Sequence, residues 1–387
     1  MSLATEIYQE GLRLPPVHLV RGGNPVRETQ ELFLANTRVR EERLGDLDAQ
    51  IAALRAGNVR IRELAERFGP DRLAVAMREL QAYSERLVRA FLRSVPKGNW
   101  RAGDTLDGDG AGSGPLALRV SVSRKGSRLE IDFEGSSEQA PGPINANLAV
   151  TTSAVFYVIA ALAGRDVPPN SGMLEPVRIR APHGSIVNCR FPAAVAGGNV
   201  ETSQRIVDTL LRALAPALPD RIPAASCGSM TNVSLGGYDK LRERHFSYYE
   251  TVGGGAGAGP NGKGADAVQT HMTNTLNTPV EVLEAYYPMR VVHYRVRRGS
   301  GGKGESRGGD GIDREIEMTS PAEVSLLAER RETAPWGLGG AAPGRTGQDS
   351  VVVQGRRRSI AAKSRIRLGV GDRLRVRTPG GGGWSRS

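Results

Sequence analysis

Glycine and proline interrupt this chain so often that long helices can form in only a few places. The 387 residues include 49 glycines and 23 prolines, whereas aromatic residues make up only 5%. Glycine permits backbone conformations and close approaches that other residues do not, and proline breaks helices and central strands. The chain is long enough to bury a large core. We therefore expect one large domain, or two closely packed ones, with many turns and closely approaching backbone segments.

Two segments nevertheless carry a clear helical period. Apolar residues recur at helical spacing in 41–68 and again in 71–95, and both segments are charged on their other faces. This pattern predicts an amphipathic helical pair joined at Gly69-Pro70. Residues 1–40 are expected to be irregular. The apolar stretch 148–164 is too short and too rich in Thr and Ser to indicate a membrane span, so it predicts a buried helix.

Strand patterns follow the helical pair and dominate the last hundred residues. The runs LALRVSVSR and RLEIDF predict a β-hairpin, preceded by a solvated Gly- and Asp-rich loop over 98–115. After Pro288 five alternating runs are separated by Gly and Pro. The prediction is an α+β fold with three parts: an irregular segment plus the helical pair (1–97), a mixed α/β region (98–288) and a β-rich region (289–387).

The net charge of +11 is spread along the chain, with Arg interleaved with Asp and Glu. This distribution favours a solvated basic surface over a nucleic-acid interface, which would concentrate the charge. Cys189 and Cys227 have no metal-ligand spacing, and the N-terminal residues do not resemble a signal peptide. We therefore expect reduced thiols in a cytoplasmic protein.

Two glycine-rich matches to nucleotide-binding motifs are incomplete. GAGPNGK (257–263) has the P-loop spacing, but Gly264 stands where Ser or Thr should hold Mg²⁺. The same glycines satisfy GxGxxG, yet no βαβ unit follows. Neither match indicates a nucleotide site in this chain.

The segment AGGNVETSQRIVDTLL (196–211) combines polar residues with a helical pattern. Asn199, Thr202 or Ser203 can cap the helix, whose N–H groups would then lie free beside Glu201 and Gln204. Such a helix start could bind an anion or stabilise a developing oxyanion. Ordinary helix capping is the alternative.

A second polar, glycine-flanked segment spans 248–284 and places His271, Asn274, Asn277 and Glu281 along a strand or loop. His271 is the best candidate for a general base, although a structural role is the alternative. The terminal GDRLRVRTPGGGGW predicts a strand that ends in a flexible glycine run. No Ser-His-Asp arrangement or metal motif can be identified.

Several of these strings, in this order, resemble the hydantoinase B/oxoprolinase family, the B-type subunits of ATP-dependent hydantoinases and 5-oxoprolinases. The resemblance covers nearly the whole chain and rests on ATEIYQEGLRLPPV, LGDLDAQIAA, PGPINA, AAVAGGNVETSQR, HMTNTLNTPVEVLE, SGGKGESRGGDG and TPGGGGW.

The resemblance implies an ATP-dependent amidohydrolase that opens a lactam or hydantoin ring. ATP would bind to an A-type partner subunit, which activates the carbonyl, and the B-type chain would complete hydrolysis within a hetero-oligomer. A divalent metal is expected in the family, but its upstream His and Asp motifs do not occur here, so the chain would lack the N-terminal portion. The alternatives are a non-catalytic or truncated structural subunit, or a subunit of a ketone carboxylase.

Within this interpretation the candidate site residues are polar groups in the two glycine-flanked segments. His271 and Glu201 are the expected catalytic residues. The expected substrate-binding residues are Asn199, Thr202, Asn274 and Asn277.

Overall fold

The computed structural model describes residues 2–386 and confirms the α+β fold, with two bodies that each have their own core. The helices are α1 (Arg27–Ala35), α2 (Arg40–Phe68), α3 (Pro70–Ser94), α4 (Leu148–Ala163), α5 (Ser203–Leu214) and α6 (Val280–Tyr286). The first nine strands are β1 (Val20–Arg21), β2 (Asn24–Pro25), β3 (Gly98–Leu106), β4 (Leu116–Lys125), β5 (Arg128–Asp132), β6 (Val177–Arg180), β7 (Asn232–Asp239), β8 (Arg244–Thr251) and β9 (Met289–Arg297). The remaining six are β10 (Gly311–Met318), β11 (Ala322–Leu327), β12 (Gln348–Val353), β13 (Arg356–Ser359), β14 (Lys363–Leu368) and β15 (Arg373–Arg377).

The first body packs helices against a four-stranded sheet of order β3-β4-β5-β6. Its core joins the inward side chains of the strands to α4, α5 and the end of α3. The predicted hairpin is confirmed, because β4 and β5 pair antiparallel. The predicted buried helix is confirmed as α4, whose first turn is capped by the side chain of Asn147.

The predicted loop over 98–115 is wrong for its first half, because residues 98–106 form strand β3 along the edge of this sheet, whereas residues 107–115 do form a loop. Asp104 is 7% exposed and Asp109 is fully buried, so the two carboxylates are not solvated. Asp109 accepts hydrogen bonds from the backbone N–H groups of Ala111, Ser113 and Gly142. The acidic residues suggested exposure, whereas their hydrogen bonds allow them to be buried.

The second body is a β-sandwich. One sheet has the order β13-β12-β15-β10-β9 and the other β14-β11-β7-β8, and all neighbouring strands are antiparallel. Buried side chains from both sheets form one core, so the sheets pack face to face. In β15, Leu374 and Val376 point into this core, whereas Arg373 and Arg375 alternate with them. The five strand segments expected after Pro288 are confirmed as β9, β10, β11, β12 and β15.

Backbone segments that approach one another without side chains form a third feature, which we call the glycine layer. An added Cβ at its glycines would overlap a neighbouring backbone: at Gly257 the carbonyl of Ala224, and at Gly309 that of Ala265. The segments are joined by backbone hydrogen bonds such as Gly309 N to Ala256 O and Gly381 N to Gly309 O, at 2.8 and 2.9 Å. The layer comprises Gly255, Gly257, Gly264, Gly301, Gly302, Gly308, Gly309, Gly380, Gly381, Gly382 and Gly383.

The glycine layer changes the interpretation of two sequence motifs. The terminal glycine run was expected to be flexible, and this is wrong: residues 380–383 are buried between other backbone segments. In GAGPNGK, Gly257 lies against Ala224, and Gly259 and Gly262 exchange backbone hydrogen bonds of 3.1 Å. The glycines there allow close backbone packing and do not line an open phosphate cradle.

The predicted helical pair is confirmed, with α2 and α3 separated only by Gly69. Most of it is exposed: within residues 40–80, which we call the helical arm, only Leu47 is buried. Beyond the arm, Val88 and Leu92 of α3 enter the core of the first body. Short α1 precedes the arm, in a segment that was expected to be irregular.

Within residues 2–386, no helix has the length and apolar character that crossing a membrane requires.

Candidate active site

The polar segment 196–211 and the PGPINA segment pack against each other at the start of α5. Helical turns begin at Ala196, continue through a short π-helix (Gly198–Thr202) and run into α5 without a break. An added Cβ at Gly198 would overlap the backbone of Asn145, so this glycine brings the two segments together. The hydroxyl of Thr202 donates to the carbonyl of Ile144. Thr202 is therefore fully buried against the PGPINA segment.

The expectation of free N–H groups beside Glu201 and Gln204 is wrong, because the helix starts one turn earlier. The carboxylate of Glu10 accepts hydrogen bonds from the N–H groups of Val195 and Ala196 at 2.8 to 3.0 Å. The N–H groups at the true start are thus satisfied by a residue far away in the sequence.

Glu201 is fully buried on the π-helix. Asn232 donates to its Oε1 at 2.7 Å, and Tyr249 donates to the amide oxygen of Asn232, also at 2.7 Å. Its other oxygen, Oε2, has no hydrogen-bond partner among the described residues. Burial, together with the nearby negative charge of Glu329, raises the pKa of Glu201 to about 8. Glu201 is therefore mostly protonated at neutral pH and can donate a proton.

His271 lies beside α5, in the loop that follows Gly255, Gly257 and Gly264 of the glycine layer. Its Nε2 is 3.2 Å from Oδ1 of Asp208, and its Nδ1 is 3.4 Å from the hydroxyl of Tyr157 on α4. The backbone of His271 has φ of +58°, which is uncommon for a residue other than glycine. Gln204 donates to the carbonyl of the preceding Thr270 at 3.0 Å, which ties this loop to α5.

A buried ion network, comprising Asp104, Arg205, Asp208, Glu329, Arg330 and Lys363, connects β3, α5 and the second body. Arg330 bridges Asp104 at 2.7 Å and Asp208 at 3.1 Å. Arg205 lies 3.3 Å from Asp104 and 3.1 Å from Glu329. Burial would raise the pKa of Asp104, but Arg205 and Arg330 outweigh it and hold the pKa at about 2.

The network brings together residues that sequence reasoning missed. Asp208 joins it to His271, and Glu329 joins it to Glu201 through the proximity of the two carboxyl groups. Asp104 lies in the segment predicted to be a loop, and Arg330 ends the strand-like run AEVSLLAER. The sequence shows that acidic and basic residues alternate along the chain. It does not show which of them form ion pairs, because that depends on the tertiary fold.

The remaining predicted residues are Asn199, on the π-helix with Glu201, and Asn274 and Asn277, which follow His271 in the sequence. Asn199 and Asn274 are exposed, and the side chain of neither makes a hydrogen bond within residues 2–386, although the hydroxyl of Ser203 donates to the backbone carbonyl of Asn199. Asn277 donates to Glu250 and to the carbonyl of Thr251, both at 2.8 Å, and accepts from the hydroxyl of Tyr294. It therefore belongs to hydrogen bonds within the β-sandwich.

A cavity of about 680 Å³ lies on the outer face of the sheet that contains β7 and β8, beside the first ten residues. None of the six predicted residues lines it. Of the carboxylates that line the cavity, Glu10 already accepts hydrogen bonds from the N–H groups at the helix start, and Glu323 forms a salt bridge of 2.6 Å with Arg365. We place the candidate site at Glu201 and His271, because these groups are joined to the buried charges.

The described residues do not fit a divalent metal. Within 2–386 no three His, Cys, Asp or Glu side chains are grouped to hold a metal ion. The buried carboxylates of the ion network are paired with guanidinium and ammonium groups, which would repel a cation. Cys189 and Cys227 are unpaired.

Comparison with known proteins shows one family over the whole chain. The family model described as hydantoinase B/oxoprolinase matches residues 1–387. An uncharacterized protein of Methanocaldococcus jannaschii is 40% identical, and the match covers 99% of this chain and 66% of that protein. The 5-oxoprolinase 1 of Arabidopsis thaliana is 38% identical over 91% of this chain and 28% of its own length. A putative B-type subunit of a D-/L-hydantoinase from a Pseudomonas species is 32% identical, covering 90% of this chain and 60% of that protein.

Solved structures agree with this similarity. The ATP-dependent caprolactamase of Pseudomonas jessenii superimposes with a TM-score of 0.89 at 28% identity, over 99% of this chain and 68% of that one. An acetone carboxylase superimposes with the same TM-score at 14% identity, covering 99% and 57%, which shows a shared fold alone. The chain thus spans about a third to two thirds of the length of these proteins.

Proposed function

The chain belongs to the hydantoinase B/oxoprolinase family, and on that premise we propose that it is the B-type subunit of an ATP-dependent enzyme that opens a cyclic amide. The substrate class would be a lactam or hydantoin, the ring types in the names of its oxoprolinase, hydantoinase and caprolactamase relatives. An A-type partner would bind ATP and activate the amide carbonyl. The observation that carries the proposal is the 28% identity to the caprolactamase, at a TM-score of 0.89 over 99% of the chain.

The site chemistry supports hydrolysis of an activated carbonyl. An amide carbonyl is unreactive because of resonance, and attaching a phosphoryl group to its oxygen makes it a better electrophile. The hydrolytic half-reaction then needs a base for the attacking water and a proton donor for the leaving group. His271, which is hydrogen-bonded to Asp208, would act as the base. The protonated Glu201, at the start of α5, would act as the proton donor.

The experiment is reconstitution of this chain with its A-type partner and ATP. We expect release of the ring-opened amino acid, with ADP formed in step, from at least one of 5-oxoproline, a hydantoin or caprolactam. His271→Gln and Glu201→Gln should each lower kcat by about 100-fold. His18→Gln, at an exposed position, is the matched control and should leave kcat unchanged. Circular dichroism would establish that each variant is folded.

Two other outcomes would replace the proposal. Bicarbonate-dependent ATP consumption with a ketone, and no ring opening, would assign the chain to a carboxylase, the function of the acetone carboxylase that shares its fold. Assembly of a stable complex in which His271→Gln and Glu201→Gln turn over normally would assign a structural role to this chain. That outcome has a basis in the complete burial of Glu201.

A further inference from the structure

We propose that the hydroxyl of Tyr157 is the proton-transferring end of a relay through His271 to Asp208. This inference rests on the proposed function, because it names the group that exchanges protons with the reacting molecules. Asp208 would be a positioning residue that fixes the tautomer of His271.

The Asp208 end of the relay defines where the proton of His271 resides. Oδ2 of Asp208 is 3.1 Å from Arg330, and Oδ1 is 3.2 Å from Nε2 of His271 and 3.4 Å from the N–H of Ser226. A carboxylate paired with a guanidinium accepts hydrogen bonds and has no proton to donate. Nε2 therefore carries a proton and donates it to Asp208, and in the neutral ring Nδ1 is the acceptor.

The hydrogen-bond partner of Nδ1 is Tyr157. Its hydroxyl lies 3.4 Å from Nδ1, and the two rings meet edge to face, with centroids 5.7 Å apart. Burial and the negative charge of Asp208 raise the pKa of Tyr157, so the phenol keeps its proton at neutral pH and can donate it. Tyr157 as a whole is only partly buried, whereas Asp208 is 1% exposed, so the relay has its more exposed residue at the Tyr157 end.

The backbone conformation of His271 supports a functional role for this residue in addition to packing. A positive φ in a residue other than glycine costs free energy and persists where the surroundings determine it. Here Gln204 holds the carbonyl of Thr270, while Asp208 and Tyr157 hold the two ring nitrogens. The ring is thus fixed between a carboxylate and a phenol.

The proton transfers balance as follows. When water attacks the activated carbonyl carbon, its proton passes to the Tyr157 oxygen while the Tyr157 proton passes to Nδ1. His271 then carries a positive charge, which the carboxylate of Asp208 stabilises. The reverse transfers deliver the proton to the leaving group and restore neutral His271. The other titratable or charged groups near this path are Arg330 behind Asp208, and Cys227 and Glu201 on the Thr270 side.

The test is nuclear magnetic resonance of the full chain labelled with ¹⁵N-histidine, with His271→Gln to assign the signals. We expect the neutral ring of His271 to be the tautomer with the proton on Nε2 and a bare Nδ1. Tyr157→Phe keeps the ring and removes the hydroxyl, so it should shift the Nδ1 signal. Tyr83→Phe, at an exposed tyrosine of α3, should not. A proton on Nδ1 of the neutral ring, or an Nδ1 signal unchanged in Tyr157→Phe, would overturn the relay.

The reconstituted complex provides the second arm. Tyr157→Phe should lower kcat by about 100-fold with KM unchanged, and should remove one limb of the pH profile of kcat. A loss that is equal at every pH would indicate a structural role and would contradict the relay. If the complex never opens a ring, the proposed function fails, but the tautomer and the Tyr157→Phe shift still decide the relay on the chain alone.

Discussion

The glycine layer and the helical arm use glycine in opposite ways. Within the layer, any Cβ would overlap backbone atoms, as at Gly257 and Gly309. In the arm, Gly45 and Gly57 lie within helix α2, and an added Cβ would meet nothing within 4 Å. The same residue is thus required for packing in one region and only weakens a helix in the other. Tolerance to substitution follows from what surrounds a position, and glycine content alone does not reveal it.

The largest expected effect is at the glycine layer itself. Gly257→Ala would place a methyl group against the backbone of Ala224, where neither segment can move without breaking its hydrogen bonds. We expect a loss of at least about 4 kcal/mol in the free energy of unfolding, measured by urea denaturation. A loss below about 1 kcal/mol would show that the layer is looser than its geometry indicates.

The ion network is the next most sensitive feature of the buried centre. Arg330→Met removes the cation between Asp104 and Asp208 and leaves two buried carboxylates, so we expect a loss of about 3 to 5 kcal/mol. The matched change in the arm is Arg60→Met, which removes an exposed pair with Glu63 and should cost less than about 1 kcal/mol. Equal losses in urea denaturation would contradict the difference between the two regions.

The pH dependence of stability depends on Glu201. Its pKa rises from 4.5 to about 8 on folding, so the folded chain binds more protons than the unfolded chain between these values. Stability should therefore fall as pH rises through this window, by about 3 kcal/mol between pH 5 and 7.5 from this group. Glu201→Gln should remove that contribution, whereas Glu63→Gln in the arm should not. An unchanged slope in Glu201→Gln would mean that the carboxyl is already ionised.

The smallest effect has the opposite sign and lies in the arm. Gly57→Ala replaces an exposed glycine in the middle of α2, and the free space around it accepts the methyl group. We expect the free energy of unfolding to rise by about 0.5 to 1 kcal/mol in urea denaturation, because alanine favours the helix. Destabilisation would show that the arm contacts other parts of the chain at this position.

The sequence predicts the exposed helices and regular strands well, and the buried glycine layer and ion network poorly. Periodicity located α2 and α3 because Leu44, Leu47 and Ile51 repeat along one face, a local signal. The same holds for β15, where arginines alternate with Leu374 and Val376. Both patterns are formed by residues close together in the sequence, so the elements can be predicted without tertiary information.

The glycine layer and the ion network carry no comparable signal. A glycine run has the same sequence whether it is flexible or enclosed, so residues 380–383 were expected to be mobile. Asp104, Arg205 and Arg330 are separated by more than 100 residues from one another, and each alone suggests an exposed charge. At the candidate site, Glu201 and His271 were singled out by their polar surroundings, whereas Tyr157 and Asp208 lie in ordinary amphipathic or apolar helix patterns.

The order of strands in the sandwich determines when this chain can fold during its synthesis. Strand β15, which follows all other strands of the sandwich in the sequence, lies in the middle of its sheet between β12 and β10, and β14 completes the other sheet. At about 5 to 20 residues per second, the interval from the end of β10 to the end of β15 is roughly 3 to 12 s, during which the edge of β10 that β15 will cover is open. Unpaired edges attract other strands. Newly made chains should therefore depend on chaperone protection until β15 has emerged and paired, and slower translation would extend that period.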